Sequence, residues 1–118
     1  MGIEAIDLYY IHRRDPSLPI EEVTETLVGF IKSGKIKQFG FSEIAPTSLA
    51  RANAIHPVGT VQSEYSLSTR APELGLIQKT AELRTSLVAF SPVGRSLLTN
   101  KPHSREQAET MVSACSRL

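Results

Sequence analysis

The chain has 118 residues, 41% of them hydrophobic and 21% charged, ordinary proportions for one globular domain and too few residues for two. Thirteen Lys and Arg against twelve Asp and Glu leave a formal charge of +1, and with no basic face or charge run, nucleic acid and anionic membranes are not expected as partners. A lone Cys115, no Cys/His cluster of metal-ligand spacing, no signal core, no myristoylation pattern at Gly2 (Ile6 stands where Ser or Thr is needed) and no apolar run of membrane-spanning length lead to the expectation of a soluble, cytoplasmic chain without a metal.

The first element is the stretch IDLYYIHRRDP at residues 6–16, which reads as a short buried strand ending on His12. An amphipathic helix follows in PSLPIEEVTETLVGFIKSGK: Ile20, Val23, Leu27, Phe30 and Ile31 recur at spacings of three and four. Pro19 suits its first turn, Glu21 and Glu22 its positive end, and Lys32 and Gly34 its close. KQFGFS at 37–42 is a second strand, and a second helix opens near Pro46, runs through SLARANA and stops before Pro57. TVQSEY at 60–65 is a third strand. PELGLIQKTAEL, about 72–83, is a third helix with Leu74, Ile77 and Ala81 on one face. SLVAFS at 86–91 is a fourth strand. Residues 101–118 are polar, their apolar Met111, Val112 and Ala114 make no face, and the segment reads as a frayed helix or a disordered tail.

Strands that recur about 20–30 residues apart with a helix between them are the pattern of βαβ crossovers and a parallel sheet. The expected fold class is therefore α/β, with about four βα units over residues 1–100. The strand ends carry the chemistry. The first finishes in His12, the second in Ser42 and Glu43, the third in Gln62, Ser63 and Glu64, and the fourth in Ser91. In barrels and open α/β sheets that carboxyl edge is where sites are built. His12 shares parity with Ile6, Leu8 and Tyr10, so all four point to one side of the sheet. Each residue also has a bland reading: His12 as a surface or capping residue, Ser42 as a helix cap, Gln62 as a solvated strand end, SPVG at 91–94 as a turn. Their shared position at four successive strand ends favours a ligand site.

These segments, in this order and spacing, resemble the aldo-keto reductase superfamily. IDLYYIHRRDP, KSGKIKQFGFSE, VQSEYSLSTR and VAFSPVGRSLLT are similar to a branch whose members read HRxDP, GLSE, QSEYS and SPLGRG, and the resemblance spans residues 3–100. It implies the fourth to seventh strand units of a (β/α)8 TIM barrel that transfers hydride from NADPH, or NADH in its place, to a small aldehyde or ketone. By the same resemblance His12 is the catalytic residue that orients and polarises the carbonyl. Ser42, Glu43 and Gln62 fall on the positions that hold the nicotinamide carboxamide. Phe90 falls on the aromatic that stacks on the nicotinamide ring, and Ser91, Val93, Gly94 and Arg95 on the turn that contacts the pyrophosphate.

The chain also departs from that pattern. A barrel of this kind needs about 250 residues. The tyrosine acid, its lysine partner and the aspartate lie on earlier strands in the family and nothing here matches them; Tyr9 and Tyr10 sit in the strand that bears His12. The tail from Lys101 does not resemble the segment that grips the adenosine phosphate, and Arg84 stands where relatives often have glycine. Two functions follow as expectations: a truncated reductase, inactive alone for want of its general acid, or a non-catalytic half-barrel that self-associates, or pairs with a complementing half, and binds a nucleotide or protein partner. A small flavodoxin-like doubly wound domain ranks last, because HRRDPSLP has no glycine-rich phosphate cradle.

Overall fold

The computed structural model describes residues 2–115, and side chains through Thr110. The elements in chain order are β1 (Ile6–Ile11), α1 (Ile20–Lys32), β2 (Ile36–Ser42), α2 (Pro46–Ile55), β3 (Thr60–Glu64), a 3-10 turn (Ala71–Leu74), α3 (Leu76–Leu83), β4 (Ser86–Phe90) and α4 (Arg105–Cys115). Local chemistry sets most of these ends. Glu21 and Glu22 lie in the first turn of α1 and Lys32 in its last, answering the helix dipole at both ends. Gly34 then takes φ 73 to turn the chain into β2, a conformation that only glycine adopts at no steric cost. Pro46 opens α2, and its helix ends on Ile55, two residues before Pro57.

All four strands are parallel and lie in the order β1-β2-β3-β4. Sequential order with right-handed crossovers places every connecting helix on the same face of the sheet, and α1 lies against α2 and α2 against α3. A doubly wound domain reverses its strand order part-way and carries helices on both faces. The flavodoxin-like reading is thereby excluded, and the sheet is a segment of barrel wall.

The core fills the space between sheet and helices. Ile20 and Leu27 of α1, Phe39 and Phe41 of β2, Leu49 and Ala52 of α2, and Val61 of β3 are buried within it. The Phe39 and Phe41 rings meet edge to face, centroids 5.8 Å apart, a favoured aromatic geometry. Thr24 is fully buried among them, and its hydroxyl donates to the Ile20 carbonyl at 2.7 Å, so no polar group is stranded there.

The opposite face of the sheet, which in a closed barrel points inward, is partly open. By register Tyr10 faces Gly40 and Gly40 faces Thr60. The Tyr10 ring crosses Gly40, and its hydroxyl bonds to the Thr60 hydroxyl at 2.7 Å. Leu8 and Val88 on this face are 38% and 40% exposed.

Three expectations need correction. The first strand is not buried: Asp7, Leu8 and Tyr9 are exposed, because β1 is an edge strand with one neighbour and an uncovered inner side. The third helix is not continuous. Gly75 at φ 138 separates the 3-10 turn from α3, so the expected face dissolves: Leu74 is 89% exposed, Ala81 is exposed, and the buried residues of α3 are Leu76 and Thr80. Phe30, expected in the core with its helical face, is 38% exposed, and Lys35 lies over its ring.

The C-terminal segment forms α4, with its start capped reciprocally: Ser104 N–H donates to Gln107 Oε1 at 2.9 Å, and Gln107 N–H to Ser104 Oγ at 3.3 Å. This is the S-x-x-Q form of a capping box. The side chains of Met111, Val112 and Ala114, on which the reading of the tail turned, and residues 116–118 lie outside the described residues. Among the described residues no helix is long and apolar enough to cross a membrane.

Candidate functional site

The carboxyl ends of the strands form one row. Ile11 pairs with Phe41, so the next residues, His12 and Ser42, stand side by side. Ser42 pairs with Gln62, and Gln62 with Val88. Three of the residues singled out from sequence, separated by up to fifty positions, thus become lateral neighbours. His12 lies one residue past the end of β1 and is exposed, presented beyond the sheet rather than within it. Ser42 is buried, with 6% exposure. Among the described residues the Ser42 hydroxyl, the Gln62 side-chain amide and the His12 ring have no hydrogen-bond partner in the protein, so all three remain available to a ligand.

Glu43 is placed differently. It adopts φ 54, and its backbone N–H donates to the Gln62 carbonyl at 2.9 Å. Its carboxylate Oε1 accepts from the Glu64 backbone N–H at 2.7 Å. The side chain therefore extends the β2–β3 ladder by one bond beyond the last strand residue, and its second oxygen is left wholly for a ligand. A 300 Å³ pocket beside it, with Ile44, Pro46, Ser63 and Pro72 among its walls, takes in Glu43 but not His12, Ser42 or Gln62.

Beyond β4 the chain turns sharply. Phe90 pairs with Glu64 and its carbonyl accepts from Tyr65 N–H at 3.3 Å, which sets the Phe90 ring further out than the His12–Ser42–Gln62 row. Ser91, Gly94, Arg95 and Ser96 have φ of 51, 59, 52 and 78, a cluster of left-handed residues in which only one is glycine. Gly94 is held by space as well as by torsion, since a β-carbon there would meet Ser68 Oγ at 2.9 Å. Among the described residues the Arg95 and Ser96 N–H groups donate to nothing in the protein. Val93 is half exposed. The Arg95 guanidinium lies 3.4 Å from Glu64 Oε2.

Sequence reasoning missed the groups that brace this end. Glu64 reads in the sequence as one strand-end residue among several, yet its backbone N–H holds Glu43 and its carboxylate holds Arg95. Tyr65 donates its hydroxyl to Glu73 at 2.9 Å, and Arg70 grips the same carboxylate through two nitrogens at 2.8 and 2.7 Å. Hydrogen bonds first from Arg70 and then from Tyr65 hold the Glu73 carboxyl below the usual glutamate range, and the same bond raises the Tyr65 phenol. The spacing R-x-x-E at 70–73 was the available signal, an i,i+3 pair on one turn.

The profile of the "Aldo/keto reductase family" matches residues 1–116, beyond the 3–100 that the motifs alone reach and into the tail. The chain is 40% identical over 112 residues to "Aldo-keto reductase str7" of Strobilurus tenacellus, covering 92% of this chain and 33% of that protein. It is 39% identical over 102 residues to "Aldo-keto reductase yakc [NADP(+)]" of Schizosaccharomyces pombe, covering 84% and 30%. The glycerol dehydrogenase structure from Gluconobacter oxydans superposes with a TM-score of 0.81 at 29% identity, over 88% of this chain and 32% of that one. The chain thus spans about a third of the length of these relatives. From the profile match, the two relatives and the barrel-wall topology together, the chain belongs to the aldo/keto reductase family.

Proposed function

We propose that this chain supplies the carbonyl-facing and nicotinamide-facing wall of an NADP-dependent reductase of small aldehydes or ketones. The observation that carries the reading is the row of His12, Ser42 and Gln62 at the carboxyl ends of three adjacent strands, each with its polar side chain unpartnered. Ser42 and Gln62 match the chemistry of a carboxamide: a hydroxyl and a primary amide offer both a donor and an acceptor. The free second oxygen of Glu43 accepts from the carboxamide N–H2. The left-handed turn at Gly94–Ser96 exposes two adjacent N–H groups beside the Arg95 cation, a fit for a pyrophosphate, and Phe90 offers an aromatic face for the nicotinamide. When bound, NADPH supplies hydride. His12, exposed at the mouth, is the donor that would hold the carbonyl oxygen as charge develops on it. A reducing, cytoplasmic setting suits the lone Cys115.

Nothing in these 118 residues matches the family's tyrosine acid, so the 118-residue chain by itself is expected to bind cofactor and turn over no carbonyl. Fluorescence titration with NADPH tests the first part: saturable binding is expected, weakened about fivefold to tenfold by Ser42→Ala or Gln62→Ala. Binding that neither substitution alters would remove these residues from the site. Carbonyl-dependent NADPH oxidation by the chain, abolished in His12→Ala, would show that it is active alone.

A second reading, a non-catalytic half-barrel closed by self-association, is favoured by a separate observation. Both outer strands, β1 and β4, have a free edge, and Leu8 and Val88 stand exposed on the inner face between them. A second copy placing its β1 beside this β4 would extend the same parallel order to eight strands, the number at which side chains fill a barrel's interior.

A further inference from the structure

At the end of the sheet opposite the His12–Ser42–Gln62 row, a cleft of 640 Å³ opens between the starts of β2 and β4 and the ends of α2 and α3. Its walls come entirely from consecutive units of this chain, and its volume lies in the range of small-molecule sites. Lys37, His56 and Arg84 line it, and among the described residues no acidic side chain does. Lys37 is held at the rim by Asp7 at 2.6 Å, and Asp7 does not line the cleft. The His56 ring packs against Phe39, centroids 5.6 Å apart. Its Nδ1 lies 2.9 Å from the Pro57 carbonyl, and Nε2 has no partner among the described residues.

Arg84 is the decisive residue. It occupies the left-handed position that closes α3, with φ 56 and ψ 31, its backbone N–H bonded back into the helix. Glycine fills that position at no steric cost, and any other residue strains the backbone there. A strained arginine whose guanidinium has no ion pair or hydrogen bond among the described residues is unexplained by the fold. The bland account, a cation answering the negative end of α3, is met equally well by a basic residue one turn earlier, without strain.

Neutral donors complete the lining. The Ser86 hydroxyl has no protein partner among the described residues, and neither does the Gln38 amide. Gln38 reaches across Gly59, where a β-carbon would meet its Oε1 at 2.9 Å. Val58 and Leu83 add apolar wall.

We propose that this cleft binds a phosphomonoester of a small apolar or aromatic body, with Arg84 forked on the phosphate, Lys37 as a further cationic donor, and the body against Val58 and Leu83. A planar guanidinium pairs with phosphate through two parallel bonds, and a dianion can draw Lys37 from its exposed partner. The site is separate from the cofactor end and stands whether or not the chain binds NADPH.

The test is an NMR titration of the isotope-labelled 118-residue chain with phenyl phosphate, inorganic phosphate and benzoate. Saturable shifts at Gly59 and Ser86 are expected with phenyl phosphate at about 0.1–1 mM, weaker binding of inorganic phosphate, and a loss of at least about tenfold in Arg84→Gly. That substitution relieves backbone strain, and an unchanged spectrum away from the cleft separates lost binding from unfolding. Shifts that fail to saturate, an affinity unchanged in Arg84→Gly, benzoate binding as tightly as phenyl phosphate, or shifts confined to the Gly94–Ser96 turn would each overturn the proposal.

Discussion

Gly40 shows how one residue can be set by neighbours far away in sequence. A β-carbon at this position would lie 2.6 Å from the Thr60 carbonyl oxygen and 2.8 Å from the Tyr10 ring. One of those atoms is backbone, so the clash cannot be relieved by rotating a side chain. Gly40→Ala is expected to destabilise the chain by about 1–3 kcal/mol, read as a lower urea midpoint with an unchanged slope. Glu73 makes the electrostatic case. Its carboxyl lies below its ordinary range in the folded chain, through Arg70 and then Tyr65, so the pair stabilises above the unfolded glutamate pKa. That contribution is lost as pH falls through the lower, folded value. The stability gap between wild type and Glu73→Gln is therefore expected to be present near neutral pH and to close as pH falls below the ordinary glutamate range. Arg70 is exposed and Glu73 only partly buried, so the gap is small; a gap that stays constant with pH would show the charge to be irrelevant.

At the scale of elements, α3 and its flanks carry the departures from pattern. The Leu74–Ile77–Ala81 spacing is real in the sequence, but Gly75 at φ 138 places Leu74 in a separate 3-10 turn, and Leu76 and Thr80 take the buried side instead. Periodicity cannot register such a break, because glycine inside a helical pattern is tolerated as often as it interrupts. At the other end of α3, Arg84 holds the left-handed closing position. Arg84→Gly is expected to stabilise the chain by about 1 kcal/mol, measured as a raised urea midpoint. A destabilised variant would mean that the Arg84 side chain makes contacts worth more than the strain. By contrast α1 and β2 were legible almost throughout, since Ile20, Leu27, Phe39 and Phe41 are buried by helical and strand periodicity on their own segments.

At the scale of the molecule, the sheet is half of a closed surface. The radius of gyration is 16.5 Å, against about 13.5 Å for a compact chain of this length. The excess follows from a sheet covered by helices on one face only and from α4, whose described side chains are all exposed. Two free parallel edges and an uncovered inner face favour association. Light scattering on the purified chain is expected to give a mass above that of one copy and rising with concentration; a strictly monomeric, cooperatively folded species would count against closure by a second copy.

The sequence by itself determined the four βα units, the parallel sheet, the family and the identity of the strand-end residues, because each rests on short-range spacing or on motifs contiguous in the chain. Only the tertiary structure decided which of those residues stand together. The row of His12, Ser42 and Gln62, the Tyr10–Thr60 bond over Gly40 and the capture of one Glu43 oxygen by Glu64 all depend on lateral register between strands. The cleft around Arg84 depends on two helix ends converging with two strand starts. Register and convergence are set by packing of the whole sheet against its helices, and no local pattern in the chain encodes them.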